Sequence, residues 1–220
     1  MLNRQSGRRT IAGVIIMCCH ESRLFAWLLD LTMRQGFLQP YRERVIGAAS
    51  GRILEIGVGT GLNLSLYAPG VDGVVGLDPS ARLLATARER SRQAAVPVDF
   101  IKGSAELLPF DSGEIDTVVT TWTMCSIPDV SRALREMRRV LRPGGRLLFV
   151  EHGRAPDRGV CWWQDRLTPG WRRMSGGCHL NRPIRDLVAD AGFRIERLDT
   201  GYLRRRTPWT FMYEGSARPA

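Results

Sequence analysis

The sequence predicts an α/β protein built on a doubly wound, mostly parallel sheet of seven strands. Three observations lead there. Between Arg52 and Val150, β-rich runs alternate with amphipathic helical patterns. One of those runs, residues 115–120 (IDTVVT), is a continuous apolar stretch, as strands covered on both faces are. The first run breaks into a glycine turn that opens the following segment. The 220 residues, 44% hydrophobic and 25% charged, suit one domain with a buried core rather than a disordered chain.

Taken in order, residues 1–19 read as an N-terminal extension and residues 20–220 as a single domain. Arg4, Arg8 and Arg9 ahead of an apolar stretch resemble a weak signal peptide. No small-x-small cleavage site follows, since His20-Glu21-Ser22-Arg23 comes next, so the segment is read as an extension and not a targeting signal. Residues 20–50 predict N-terminal helices. Leu24, Trp27, Leu28 and Leu31 share the spacing of one buried face, and Pro40 interrupts the pattern. Strands are predicted over 52–56, 73–77, 98–101, 115–120 and 146–150. Helices are predicted over 62–67, 80–93 and 129–141, the last ended by Pro143-Gly144-Gly145. Residues 153–183 break the rhythm with Trp162, Trp163 and Trp171 among prolines and glycines. A segment so long is more than a connection, and it predicts a Trp-rich helical cap over the sheet edge. Asn181 is expected to cap a helix with Pro183 in its first turn, stopped by Gly192, before two strands over 193–198 and 210–214.

Composition excludes several classes. No run approaches the roughly 18 apolar residues of a membrane-spanning helix. Five cysteines without a CxxC pair or CxxxH-type cluster argue against a structural zinc site and a closed disulfide framework, so no metal is expected and the chain reads as cytoplasmic, from a reducing compartment. The net charge of +10 is an electrostatic footprint that nucleic acid would fit. Yet Lys102 is the one lysine among 32 basic residues, and the arginines are mostly scattered. That pattern reads as a codon bias, and nucleic acid is not expected as a partner.

The chemistry starts at Leu54-Glu55-Ile56-Gly57-Val58-Gly59-Thr60-Gly61. Glycines there let a backbone approach a ligand closely, ahead of unpaired N–H groups. A dinucleotide fingerprint would need Gly or Ala where Leu62 stands. Glu55 would repel a pyrophosphate and welcome a cationic amino group. Asp78, closing the second strand, suits a bidentate bond to ribose hydroxyls.

This Glu-x-Gly-x-Gly-x-Gly turn with Asp78 resembles the class I S-adenosylmethionine-dependent methyltransferases, a Rossmann-like fold. The resemblance runs through most of residues 50–152. Gly103-Ser104-Ala105-Glu106 is similar to the family's adenine-binding turn, with Ser104 where Asp is frequent, and Leu141-Arg142-Pro143-Gly144-Gly145 to its approach to the fifth strand. The resemblance implies S-adenosylmethionine as cofactor, held by Glu55, Gly57, Gly59, Gly61, Asn63, Asp78, Pro79, Ser104, Ala105, Glu106 and Thr121. Within the family, Gly61-Leu62-Asn63, Met124-Cys125-Ser126-Ile127, Glu151-His152 and Gly177-Cys178-His179-Leu180-Asn181-Arg182 resemble the methyltransferase-like-seven group of alkyl thiol methyltransferases. That resemblance implies a small, apolar acceptor of thiol type. His152 is then the candidate base for the thiol proton, with a structural histidine as the alternative and Asp165 as a second candidate. Trp163, Trp171 and Cys178 are expected to line the acceptor site, with Cys125 beside it, although buried cysteines pack equally well as small hydrophobes. Three alternatives stay open: a lipid or quinone methyltransferase in peripheral contact with a membrane, a metalloid methyltransferase using its cysteines, and a non-catalytic binding module.

Overall fold

The computed structural model describes residues 22–220; the extension expected over residues 1–19 lies outside them. Seven strands form one sheet: β1 (Arg52–Ile56), β2 (Gly73–Asp78), β3 (Val98–Lys102), β4 (Ile115–Thr121), β5 (Leu141–His152), β6 (Phe193–Tyr202) and β7 (Phe211–Pro219). Their order is β3-β2-β1-β4-β5-β7-β6. The first five run parallel, and β7 pairs antiparallel with both β5 and β6. Among the described residues six α-helices accompany them: α1 (Arg23–Met33), α2 (Gln39–Gly47), α3 (Ala81–Ser91), α4 (Val130–Val140), α5 (Arg158–Met174) and α6 (Ile184–Asp190).

Alternation along the strands divides the core into two layers. Leu54, Ile56, Leu147 and Phe149 join α4 and α6 on one face. Ile53, Val119, Leu148 and Val150 join α2 and α3 on the other. The carboxyl ends of β1, β2, β4 and β5 therefore meet at one edge with helices on either side, where doubly wound sheets hold ligands.

Several expectations change. Residues 62–67 form only a 3-10 turn, Leu64–Leu66, from whose two ends the Asn63 and Tyr67 side chains reach Glu55. As the break at Pro40 implies, two helices form here, and Pro40 stands in the first turn of the second, α2, where its missing N–H costs nothing. The expected buried face of α1 is exposed: Leu24, Trp27, Leu28 and Leu31 are 47–65% accessible. What docks α1 is polar. Asp30 accepts from Thr60 Oγ1 at 2.6 Å and from Arg90 at 2.6 and 3.0 Å. Asn181 is not a helix cap; Pro183 takes that place, and Asn181 donates instead to Asp165 at 2.8 Å. The cap is one 17-residue helix, α5, with Pro169 inside it. The two last strands are longer than expected and make a hairpin against β5.

Candidate active site

The turn after β1 is shaped by its neighbours. Gly57 has φ +68, and a Cβ there would stand 2.3 Å from Thr123 Cγ2. A Cβ on Gly59 would meet nothing nearer than 3.8 Å, so this residue borders open space. Beside it the Asp78 carboxylate accepts from Gly59 N–H at 3.1 Å and from Ser80 N–H at 2.8 Å. These backbone donors hold it oriented at the lip of the turn. Pro79 next to it is exposed, and Ser80 caps α3 by accepting from Leu83 N–H.

Beneath the turn lies a buried polar network. Glu55 is 1% exposed; one oxygen accepts from Asn63 Nδ2 at 2.7 Å and the other from the Tyr67 hydroxyl at 2.8 Å. Asn63 also donates to Thr121 Oγ1 at 3.1 Å and accepts from Arg42 at 2.7 Å. Burial pushes the Glu55 carboxyl up to about 7 against the pull of Tyr67, Asn63 and the Arg42 charge. Glu55 thus lies buried with Asn63 and Tyr67 each bonded to one of its oxygens. Arg42 was not singled out in the sequence. It is 5% exposed, stacks 4.7 Å over the Trp122 ring and donates to the Met33 carbonyl. A lone arginine next to Pro40 in a surface-type helix carries no signal of that burial.

The turn after β3 is held by its own side chains. Ser104 Oγ accepts from Glu106 N–H at 3.2 Å, and Glu106 accepts from Asp129 N–H at 2.7 Å at the start of α4. Ala105 is buried. These residues therefore form a folded turn on the β2–β3 side of the cleft.

At the ends of β4 and β5 a second group assembles. Glu151 is fully buried; one oxygen accepts from Thr120 Oγ1, Thr123 N–H and Met124 N–H at 2.8–2.9 Å, which pins the loop after β4. Burial and the nearby Cys125 push its pKa up to about 8. His152 Nε2 lies 3.0 Å from Cys178 Sγ, and its Nδ1 is buried without a partner. Cys125, from the loop after β4, completes the group. Hydrogen bonding to Cys178 and the neighbouring imidazole hold the Cys125 thiol well below its ordinary range, while the same bond and burial push Cys178 up. Burial alone would lower His152, but the neighbouring Cys125 outweighs it and the imidazole is raised.

The cap contributes unequally. Trp171 Nε1 donates to Cys178 Sγ at 3.3 Å, and its ring meets Trp209 edge-on at 5.7 Å. Trp163 is 52% exposed and packs edge-on against Trp162. Asp165 is engaged by Arg154 at 2.9 Å, which keeps it ionised on the surface, away from His152. A separate cavity of about 260 Å³, lined among others by Tyr41, Arg44, Arg197 and Glu214, lies against α2 and the β6–β7 hairpin.

With that geometry in place, comparison with known proteins shows what the chain is similar to. A methyltransferase domain model matches residues 54–149, which hold the glycine turn, Asp78 and the strands up to β5. Those residues are similar to a methyltransferase domain. Human thiol S-methyltransferase TMT1B is 35% identical over 140 residues, covering 61% of this chain and 57% of that protein. Demethylmenaquinone methyltransferase of Thermus thermophilus is 36% identical, covering 59% and 58%. The chain thus spans a little under three fifths of the length of these two relatives. In fold it is similar to the YcgJ protein of Bacillus subtilis (TM-score 0.62, 24% identity, 74% and 73% covered) and to an S-adenosylmethionine-dependent methyltransferase of Thermotoga maritima (0.64, 22%, 93% and 100%). S-adenosylmethionine is the cofactor that this domain implies. The residues fit it: a buried acid is oriented at the lip of a glycine turn, and that turn borders open space.

Proposed function

We propose that the chain is an S-adenosylmethionine-dependent methyltransferase acting on a small apolar thiol. The observation that carries the acceptor reading is His152, a histidine with an unpartnered buried ring nitrogen at the end of β5, beneath a tryptophan-bearing cap. The likeness to the thiol S-methyltransferases supports it. Bound at the glycine turn, S-adenosylmethionine supplies an already activated methyl group. Asp78 would hold the ribose hydroxyls, and Ser104, Ala105 and Glu106 would border the adenine. Asn63 and Thr121 would meet the amino-acid end, with Glu55 orienting Asn63 from below and Arg42 the nearest cation for a carboxylate. The acceptor thiol loses its proton to His152 Nδ1. A thiol near pKa 8.5 is only a few per cent thiolate at neutral pH, so a base with a raised pKa is well matched to it. Cap closure over Trp171 and Cys178 excludes water from the sulfur.

Among the described residues no helix is long and apolar enough to cross a membrane. Free thiols at Cys125, Cys161 and Cys178 suit a reducing cytoplasm. The exposed apolar face of α1 favours a second reading, a lipid or quinone acceptor met at a membrane surface. One assay separates them: S-adenosylhomocysteine release over a panel of thiols, amines, phenols and lipids, with and without anionic vesicles. Turnover of alkyl thiols that ignores vesicles is the expected result. Turnover of lipids alone, rising with vesicles and falling with salt, would replace the thiol reading.

A further inference from the structure

Cys125, His152 and Cys178 come from three separate segments: the loop after β4, the end of β5 and the stretch after α5. One donor atom from each lies within 4.8 Å of the others. Two sulfurs and an imidazole are the donor set that thiophilic cations prefer, and three protein ligands of this kind leave a tetrahedral ion one open position. Both cysteines are buried, 2% and 9% exposed. Two thiolates and a divalent cation sum to zero charge, which a buried site tolerates.

The surroundings are built as those of a ligand set are. The Trp171 N–H donates to Cys178 Sγ at 3.3 Å, as outer-sphere donors do for metal-bound sulfur. Arg182 holds the loop that carries Cys125, donating to the Met124 carbonyl and, at 2.6 Å, to that of Ile127. His179 N–H donates to the Cys125 carbonyl at 2.9 Å. The second observation is His152 itself. It turns Nε2 to within 3.0 Å of Cys178 Sγ, so this ring nitrogen faces the sulfurs, and a cation bound there requires the ring proton on Nδ1.

We propose that Cys125, His152 and Cys178 form a binding site for a thiophilic divalent cation of the zinc type. The cation ties together the loop after β4, the end of β5 and the segment after α5. It also fixes the His152 proton on Nδ1, so an occupied site has no base. That consequence rests on the thiol reading above; the site itself does not.

The test uses the full chain with its thiols kept reduced. Titration with Co²⁺ should give a thiolate-to-cobalt charge-transfer band saturating at about one ion per chain, displaced by Zn²⁺. Zn²⁺ should raise the melting temperature. In Cys125→Ser/Cys178→Ser the band and the thermal shift should both be lost. His152→Gln, which keeps both sulfurs, should weaken binding and change the band if the imidazole is a ligand. Circular dichroism checks that each variant is folded. A reduced wild-type chain that gives no charge-transfer band, or a folded double variant that binds Zn²⁺ as tightly as wild type, overturns the site. Thiol methylation is measured separately as the site fills. Its fall with Zn²⁺ supports the base reading, whereas stoichiometric binding without inhibition keeps the site and removes His152 as the base.

Discussion

Glu55 has its pKa pushed up to about 7 by burial, from an ordinary 4.5. A carboxyl raised in the folded state binds more protons there than in the unfolded chain, so its contribution to stability falls as pH rises from about 4.5 to about 7. The shift corresponds to about 3 kcal/mol. Glu55→Gln keeps the shape and removes the titration. Compared with wild type, the variant should gain stability between pH 5 and pH 8 in urea unfolding; parallel pH profiles would show that Glu55 stays ionised in the fold. Asp78 is buried at the lip of the glycine turn, where the proposed function puts the ribose. Each ribose hydrogen bond to a charged acceptor is worth roughly 1.5–3 kcal/mol. Asp78→Ala should therefore weaken S-adenosylmethionine binding at least tenfold by calorimetry, and unchanged affinity in a folded variant would move the cofactor elsewhere. For His152→Ala, kcat on a thiol should fall about 10²–10⁴-fold at pH 7. Much of it should return toward pH 9.5, where solvent supplies thiolate; a loss equal at all pH values would make His152 a positioning residue.

At the scale of elements, α5 carries two tryptophans with opposite settings. Trp163 is half exposed against Trp162, whereas Trp171 reaches the sulfur of Cys178. Trp163→Ala should leave KM for the thiol and the melting temperature close to wild type, since surface changes usually stay within about 0.5 kcal/mol. Trp171→Phe keeps the ring and deletes the N–H, and should raise KM for the thiol without changing cofactor affinity. Equal effects of both substitutions on KM would mean that the cap reorganises around the acceptor. The 3-10 turn after Gly61 is tied to β1. From the two ends of that short turn Asn63 and Tyr67 each hold one oxygen of the buried Glu55 carboxyl.

Across the whole molecule, α1 is joined to the body through charge. Asp30 binds Arg90 on α3 and Thr60 in the glycine turn, and those bonds together with the Arg90 and Arg34 charges outweigh burial and hold its carboxyl below the ordinary value. The tether draws an N-terminal helix against the glycine turn and α3. Asp30→Ala should release α1, which limited proteolysis would detect as faster cleavage N-terminal to α2, while the melting temperature of the sheet domain changes little. S-adenosylmethionine should then dissociate faster. Unaltered proteolysis would show that Ala26 and neighbouring apolar contacts suffice to dock α1.

The alternation of strands and helices, the glycine turn and Asp78 were legible from the sequence because each is local: a run, a spacing, a residue at a strand end. Residues 54–149, which hold them, are also the span that the methyltransferase domain matches. Burial was less legible. Periodicity marks Leu24, Trp27, Leu28 and Leu31 as one face, but only packing decides whether anything covers it, and among the described residues nothing does. Arg42 looked like one more surface arginine until α2 was laid against the glycine turn. The absence of CxxC spacing argued against a metal because that spacing detects ligands on one turn. Cys125, His152 and Cys178 were instead gathered by the tertiary structure, which brings the loop after β4, the end of β5 and the segment below the cap to one point, and no local pattern records that convergence.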